Sequence, residues 1–173
     1  RVRWSSDRGR FGTAASYVAP ARNARIVATA GGARAEATLL VGRHRSALAL
    51  SDRPSLPLAY DFTSGARAAY APMNDVPLPG EPQSFTVEIE GDRSGVGVRA
   101  AFVNVLGERR ALTLARAVDW GGWRAVTIPL PDDLNPPVHL VSLYAVDTLA
   151  NAPSHAAGTL AFRNASTIVA GTP

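Results

Sequence analysis

The amino-acid sequence predicts an all-β protein that folds as an antiparallel β-sandwich. Short apolar segments with a two-residue period recur along the chain, and clusters of Gly, Pro, Asp and Ser separate them. No stretch of helical length carries an apolar stripe at 3.6-residue spacing, not even the alanine-rich residues 24–50, so we favour strands there despite the helix propensity of alanine. Since parallel strands need long, usually helical connections, we expect antiparallel pairing.

The clearest strand lies at residues 84–92. Phe85, Val87 and Ile89 occupy alternate positions with polar residues between them, which is the pattern of a strand with one buried face. The sequence after it predicts a β-hairpin, because two apolar segments flank a turn that contains glycine. The hairpin strands are at residues 96–105 and 110–115, with the turn at 106–108.

Other segments predict strands on the same evidence. Downstream they are residues 123–130, 138–148 and 158–169, and upstream they are 24–30, 33–41, 45–51 and 56–63. The opening residues 1–4, "RVRW", fit a further strand. The two segments richest in proline, 72–82 and 129–137, predict loops at the ends of the sandwich.

Length and composition limit the possible classes of protein. A chain of 173 residues is long enough for one domain with a hydrophobic core. We therefore predict a single module over residues 1–173, best supported over 55–165, with 1–54 as its opening strands. The chain has no cysteine, which excludes disulfides, thiolate metal sites and a cysteine nucleophile. No apolar run approaches the ~20 residues of a membrane span. The start without Met or a signal core indicates a mature fragment or a module cut from a longer polypeptide.

Charge is unevenly distributed along the chain. All 18 basic residues are arginine, as codon bias in a GC-rich genome produces. Residues 1–53 hold ten arginines and three carboxylates, whereas residues 54–173 hold eight arginines and eleven carboxylates. The basic first third is compatible either with binding to an anionic polymer or with an ordinary solvated surface. No basic stretch interleaved with aromatics predicts a nucleic-acid partner.

The sequence contains no recognisable catalytic constellation. The three histidines, His44, His139 and His155, stand in no zinc-binding spacing and beside no nucleophile motif. Two carboxylate pairs occur, at 88 and 90 and at 132 and 133, and we interpret both as solvated rather than as the two acids of a glycosidase. We therefore assign no catalytic residue and expect this module not to be an enzyme by itself.

Four stretches carry a resemblance to a known family. They read "LAYDFTSGARAAYAP" (58–72), "LPGEPQSFTVEIEGDRSGVGVRAAFVNVLGERRALTLA" (78–115), "VDWGGWRAVTIPLPDDLNPPVHLVSLYAVDT" (118–148) and "GTLAFRNAS" (158–166). In content and order they resemble galactose-binding-domain-like jelly-roll modules, especially those that accompany bacterial phosphodiester glycosidases and other cell-wall or exopolysaccharide enzymes. The resemblance implies a non-catalytic, extracellular or cell-wall-associated module that binds carbohydrate or packs on a catalytic domain.

The resemblance also implies a structural calcium ion, held in many related modules by an aspartate of the last strand. Here that segment reads Phe162-Arg163-Asn164, which departs from the acidic pattern and puts a calcium site in doubt.

Four residues are candidates for ligand contact, namely Arg99, Asp119, Trp120 and Tyr144. Arg99 alternates with apolar neighbours, so its guanidinium is expected on the outer face of its strand, either facing a ligand or paired with Glu88 or Glu90. Tyr144 is expected on an adjacent strand, as a ligand contact or as a half-buried strand residue.

The segment "DWGGWRAVTIPLP" (119–131) contains two tryptophans with different expected roles. Trp120 lies in a turn with no strand to bury it, so it is a candidate to be exposed to ligand together with Asp119, the alternative being that another contact covers it. Trp123 begins a strand, and we predict that it anchors the core.

Three functions remain open at this stage. The first is an accessory module that binds a carbohydrate polymer, neutral or anionic, by aromatic stacking and hydrogen bonds. The second is a structural spacer that docks on a neighbouring domain. The third is a fragment of a catalytic unit such as a phosphodiester glycosidase.

Overall fold

The structure, a computed structural model, describes residues 2–7, 10–11, 17–18, 24–39, 42–147 and 157–170. The chain divides into two compact units, of which the first comprises Arg1–His44 with Ala170–Pro173 and the second comprises Arg45–Val169. The segment that the sequence supported best, 55–165, lies within the second unit. That the whole chain is one module stays a prediction.

The first unit is a small antiparallel structure. Its three-stranded sheet has the order β1-β4-β5, and β2 pairs with β3. The β4–β5 hairpin turns through two glycines in left-handed conformation, as a tight two-residue turn requires. The strands are β1 (Arg3–Ser6), β2 (Arg10–Phe11), β3 (Tyr17–Val18), β4 (Ala24–Ala30) and β5 (Ala33–Leu39).

In the described part of the second unit, ten strands form two sheets. Their bounds are β6 (Arg43–Leu48), β7 (Leu56–Asp61), β8 (Ala68–Tyr70), β9 (Val76–Leu78), β10 (Pro82–Asp92), β11 (Gly97–Val103), β12 (Arg109–Ala115), β13 (Gly121–Pro129), β14 (Val138–Val146) and β15 (Ala157–Ala170). The first two residues of β6 and the last residue of β15 belong to the first unit. The first sheet has the order β13-β10-β15-β6, and β7 also pairs with β15. The second sheet has the order β12-β11-β14-β8, and β9 also pairs with β14.

The strands alternate between the sheets as in a jelly roll. From β7 onward the chain crosses from one sheet to the other at every connection except β8–β9 and the β11–β12 hairpin, and neighbouring strands are antiparallel. This topology leaves each sheet with one face against the other sheet and one outer face. The prediction of an antiparallel β-sandwich of jelly-roll type is confirmed.

The core fills the space between the two sheets. Phe85 of β10 and Phe102 of β11 meet there edge to face, with ring centroids 5.5 Å apart and an interplanar angle of 76°. Both rings are fully buried, as is Phe162 of β15. The alternation seen in the sequence holds in β10, where Phe85, Val87 and Ile89 are buried and the residues between them face outward.

The described residues contain strands and turns but no helix, in agreement with the sequence. No helix among them is long and apolar enough to cross a membrane. One loop prediction is wrong in part, because Val76–Leu78 within the proline-rich segment 72–82 forms β9. Val76 and Leu78 are buried on either side of exposed Pro77, and the strand lies at the edge of its sheet, where a proline is tolerated.

Candidate functional site

A row of four side chains crosses the outer face of the second sheet. Thr113, Arg99, Tyr144 and Tyr70 are Cα partners on the successive strands β12, β11, β14 and β8. Because paired residues of antiparallel strands point to the same face, all four project away from the core. We call this set the tyrosine–arginine row. It joins Arg99 and Tyr144, as the sequence predicted for adjacent strands.

The two tyrosines of the row stack on each other. Their ring centroids are 5.0 Å apart and their planes are inclined by 25°. Tyr144 is 8% exposed and packs with Ala101 and Val146 in an apolar cluster on this face, whereas Tyr70 is 57% exposed. The buried ring therefore supports the exposed one, which presents a broad aromatic surface to solvent.

Arg99 is half-buried beside this pair. Within the described part of the chain its guanidinium takes part in no ion pair or hydrogen bond. The alternative prediction, a salt bridge from Arg99 to Glu88 or Glu90, is wrong. Glu88 lies on the first sheet and accepts a hydrogen bond of 2.7 Å from Nε of Arg163.

A second arginine lies close to the row. Arg109 of β12 is the Cα partner of Val103 on β11, and its Nη2 donates a hydrogen bond of 3.0 Å to Oγ of Ser142 on β14. Ser142 is itself the partner of Ala101 on β11. The Arg109 side chain therefore reaches across β11 on the outer face, where the alanine beneath leaves room for it.

Asp119 and Trp120 lie apart from this row, on the connection that enters β13. The exposed carboxylate of Asp119 forms a 3.5 Å ion pair with Arg124, whose guanidinium carbon lies 4.3 Å from the centroid of the Trp120 ring. No hydrogen bond, ion pair or ring contact between described residues links Asp119 or Trp120 to Arg99 or Tyr144. The structure thus joins the four predicted contacts as two separate pairs.

The expectation of an exposed Trp120 is wrong. Trp120 is 8% exposed and belongs to the core, and its Nε1 donates a 3.3 Å hydrogen bond to the carbonyl of Ile89. Gly91 makes this possible, since a Cβ there would overlap the Trp120 carbonyl and lie 2.7 Å from its Nε1. Because its ring is buried, Trp120 does not present an exposed aromatic surface to a ligand.

The expectation that Trp123 anchors the core is also wrong. Trp123 is the partner of Glu90, which faces outward, whereas Val126 and Ile128 pair with the buried Val87 and Phe85. The two-residue period of a strand places position 123 on the opposite face from positions 126 and 128. Trp123 is accordingly half-buried on the outer face, with the Arg163 guanidinium 3.9 Å from its ring centroid.

Arg163 organises the outer face of the first sheet. It stacks on Trp123 and donates to Glu88, which also accepts a 3.1 Å hydrogen bond from Asn164. The hydrogen bond from Arg163 is the main reason that the pKa of Glu88 lies below its ordinary value. This is the segment where the resemblance implied calcium ligands. Here the Arg163 guanidinium occupies the Glu88 carboxylate, so a calcium ion would have to displace it, and calcium binding stays a prediction.

The groups considered for catalysis are dispersed. Glu88 is bound by Arg163, and Asp133 forms a 3.0 Å ion pair with Arg110. His44 and His139 lie on different strands, and His155 falls outside the described residues. No group of three or more His, Asp or Glu side chains within the described ranges is arranged to hold a metal ion.

A cleft of about 680 Å³ opens beside the β6–β7 and β8–β9 connections. Its lining includes Asp52, Arg53, Asn74 and Asp75 over a floor that contains Leu50. The volume suits a small ligand, but its lining includes no aromatic ring that could support a sugar. The tyrosine–arginine row is the better candidate for carbohydrate.

In the arginine-rich first third, Arg25 forms an ion pair with Glu36, and Arg34 lies 3.6 Å from the same carboxylate. All three side chains are exposed. Binding of an anionic polymer by residues 1–53 stays a prediction.

Comparison with family models and with curated proteins finds no match for this chain. Among solved structures, the chain is similar to a carbohydrate-binding module of the β-sandwich superfamily, with a TM-score of 0.38, 10% identity, and coverage of 83% of this chain and 72% of that one. It is also similar to the family 11 carbohydrate-binding module of cellulosomal cellulase Lic26A-Cel5E of Clostridium thermocellum, with a TM-score of 0.31, 12% identity, and coverage of 78% and 91%.

A third similar structure is that of infectious bursal disease virus, Gx strain. The TM-score is 0.37 at 10% identity, and the match covers 98% of this chain and 55% of the viral chain. A carbohydrate-binding module and a viral protein thus score alike. These similarities are too distant to carry an argument about function, which has to be made from the residues of this chain.

Sequence reasoning missed Tyr70, Arg109 and Ser142. Tyr70 belongs to a strand of only three residues without alternation, so no periodic pattern marks it. In the sequence, the only feature that could have indicated an exposed aromatic was the position of Tyr70 among alanines just before Pro72. Arg109 and Ser142 are brought together by pairing of distant strands, which no local pattern shows.

Proposed function

We propose that this chain is a non-catalytic carbohydrate-binding module and that it holds its glycan on the outer face of the second sheet. The observation that carries the proposal is the tyrosine pair, with Tyr70 exposed to solvent and supported from behind by buried Tyr144. The apolar faces of sugar rings stack on aromatic rings of this kind, and neighbouring polar groups then fix the orientation of the hydroxyls.

The tyrosine–arginine row supplies those polar groups. Arg99 and Thr113 continue the row from the two rings, and neither side chain has a hydrogen-bond partner among the described residues. Four strand positions at the usual inter-strand spacing span about 14 Å. A row of this length matches a glycan chain of a few sugar units rather than a single monosaccharide.

The wider setting is part of the same proposal. We take the module to be an accessory part of a larger extracellular or cell-wall-associated bacterial protein, next to a catalytic domain such as a phosphodiester glycosidase. The support is the resemblance of residues 55–165 to such modules. Under this proposal the neighbouring domain performs the catalysis and this chain supplies affinity for the polymer.

A spacer that docks on a neighbouring domain is the second candidate. It is favoured by the apolar cluster on the same face, in which Ala101, Tyr144 and Val146 are buried and Ala68 and Val141 pack against them. A spacer would use this cluster as a protein contact and would bind no glycan.

A glycan array with the isolated chain separates these functions. We expect binding to one class of polysaccharide, and we expect Tyr70→Ala to weaken it by about tenfold or more while the folded state persists. An absence of binding to both neutral and anionic polysaccharides would favour the spacer function. Turnover of a phosphodiester-linked sugar would overturn the non-catalytic assignment.

A further inference from the structure

The charged residues in the strands of the second sheet are all basic, although the sequence segment that contains these strands has more acidic than basic residues. Its five strands β8, β9, β11, β12 and β14 contain three arginines, one histidine and no Asp or Glu. Residues 54–173 as a whole contain more carboxylates than arginines. The strands of this sheet therefore carry a net positive charge, whereas the segment that contains them carries a net negative charge.

Two of the three arginines lie on the outer face, close to Ala101. Arg99 precedes Ala101 by two residues on β11 and is the partner of Tyr144. Arg109 reaches across β11 to Ser142, the partner of Ala101. On the outer face, Arg99 thus lies two residues along β11 from Ala101, and the Arg109 guanidinium binds the hydroxyl of the residue paired with Ala101.

Neither guanidinium is neutralised by a carboxylate of the described chain. Arg99 has no ion pair there, and the partner of Arg109 is the neutral hydroxyl of Ser142. Three carboxylates directly adjoin the strands of this sheet in sequence, and the exposed Asp75 before β9 forms no ion pair with either arginine. The other two are already engaged. Glu108 accepts a 2.9 Å hydrogen bond from Asn104, and Asp147 forms a 2.7 Å ion pair with Arg67.

We infer that Arg99, Arg109 and Ser142 form an oxyanion subsite, and that the glycan bound on this face is acidic. The inference rests on the proposed carbohydrate-binding function and adds the class of ligand. A guanidinium presents paired N–H donors that match a carboxylate or a phosphate, and that of Arg99 has no ion pair or hydrogen bond in the described chain that would compete with such an anion. An acidic sugar then lies with its ring on Tyr70 and its oxyanion between the two arginines.

The oxyanion has two possible sources, a uronic-acid carboxylate and the phosphodiester of a teichoic acid. The probes are therefore polygalacturonate, its neutral methyl ester, a glycerol-phosphate teichoic acid and a panel of neutral polysaccharides. The proteins are the wild type, Arg99→Gln, Arg109→Gln and Arg110→Gln. Arg110 follows Arg109 on β12 but pairs with Asp133, so its replacement removes the same charge away from the subsite.

We expect the wild type to bind one of the two acidic polymers at least about tenfold more tightly than the methyl ester, because hydrogen bonds to charged groups contribute about that much. Arg99→Gln and Arg109→Gln should each remove most of this preference, and Arg110→Gln should keep it. The acidic polymer that binds identifies the oxyanion. Thermal unfolding of each variant verifies that it is folded.

Four results overturn the subsite. Equal wild-type binding to both acidic polymers and to the methyl ester, or binding to a neutral polysaccharide as tight as to either acidic polymer, removes the acidic preference but leaves carbohydrate binding intact. An equal loss in all three variants indicates non-specific attraction rather than a site. No binding to any probe overturns the subsite together with the proposed function.

Discussion

Tyr70 and Tyr144 are partners on neighbouring antiparallel strands, and their rings stack with centroids 5.0 Å apart on the outer face of the second sheet. The pair combines a buried support with an exposed surface, since Tyr144 is 8% and Tyr70 57% accessible. Arg99 lies next to Tyr144 in the same row. This arrangement connects the fold to the proposed glycan site, because long-range strand pairing holds the exposed ring in one orientation.

Replacing Tyr70 with alanine should weaken glycan binding by about tenfold or more without unfolding the protein. Aromatic stacking contributes about 1 kcal/mol beyond area burial, whereas substitutions of exposed residues change stability by about 0.5 kcal/mol or less. Calorimetric titration and thermal unfolding measure the two effects. Tyr144→Phe is the matched control, because it keeps the supporting ring, and a tenfold loss in that variant would contradict the assigned roles.

Replacing the two tryptophans of residues 119–131 should change stability in the reverse order from that expected from sequence. Trp120→Ala should lower the free energy of unfolding by about 3–5 kcal/mol, because it empties a core position and leaves the Ile89 carbonyl without its indole donor. Trp123→Ala should cost about 1 kcal/mol, since it removes mainly the stacking of Arg163 on an outer-face ring. Urea denaturation measures both. A larger cost for Trp123 would show that the phase of β13 is misassigned.

Gly91→Ala should destabilise the protein because Gly91 packs closely against Trp120. An added Cβ overlaps the Trp120 carbonyl and crowds its indole, so the loop or the strand has to shift, at a cost of about 1–3 kcal/mol. Gly121→Ala serves as the control, because its added Cβ meets the flexible side chain of Arg93 at 3.1 Å. Chemical denaturation of the two variants in parallel should rank Gly91→Ala as the less stable, and equal stabilities would contradict the close approach.

Tyr60 should make the fold sensitive to alkaline pH. Burial raises the pKa of Tyr60 from 10.0 to about 12, and its hydroxyl donates a 2.7 Å hydrogen bond to Asp92. Because the unfolded chain loses this proton first, the stabilisation is complete below pH 10 and is lost as the pH rises towards 12. The free energy of unfolding should fall over this range in the wild type and fall less steeply in Tyr60→Phe. Parallel pH profiles of the two proteins would exclude the effect.

The strands were predictable and the site was only partly so. Alternation of Phe85, Val87 and Ile89 marks β10 directly, and the same periodicity correctly defines the hairpin after it. The two-residue period of a strand could also have predicted the outer-face position of Trp123, because an odd-numbered position cannot share a face with Val126 and Ile128 on a regular strand. Trp120 is different, since its burial depends on the tertiary contact with Gly91.

Tyr70 could not be found by the same means. Its strand has three residues, too few for a period, and its role comes from pairing with Tyr144, which lies far away in the sequence. Arg109 and Ser142 likewise meet only because β12, β11 and β14 are neighbours. Local pattern therefore predicts which residues face outward, whereas sheet order decides which of them share a site.

Chemical-shift mapping of the labelled protein with oligogalacturonate, with a glycerol-phosphate oligomer and with a neutral oligosaccharide locates the binding face. We expect the oligomer that binds to shift resonances of Tyr70, Arg99, Tyr144 and Ser142 on the second sheet and to leave those of Trp120 and Trp123 unchanged. Shifts confined to the cleft at Asp52 and Asp75, or to the first sheet, would contradict the assignment of the binding face.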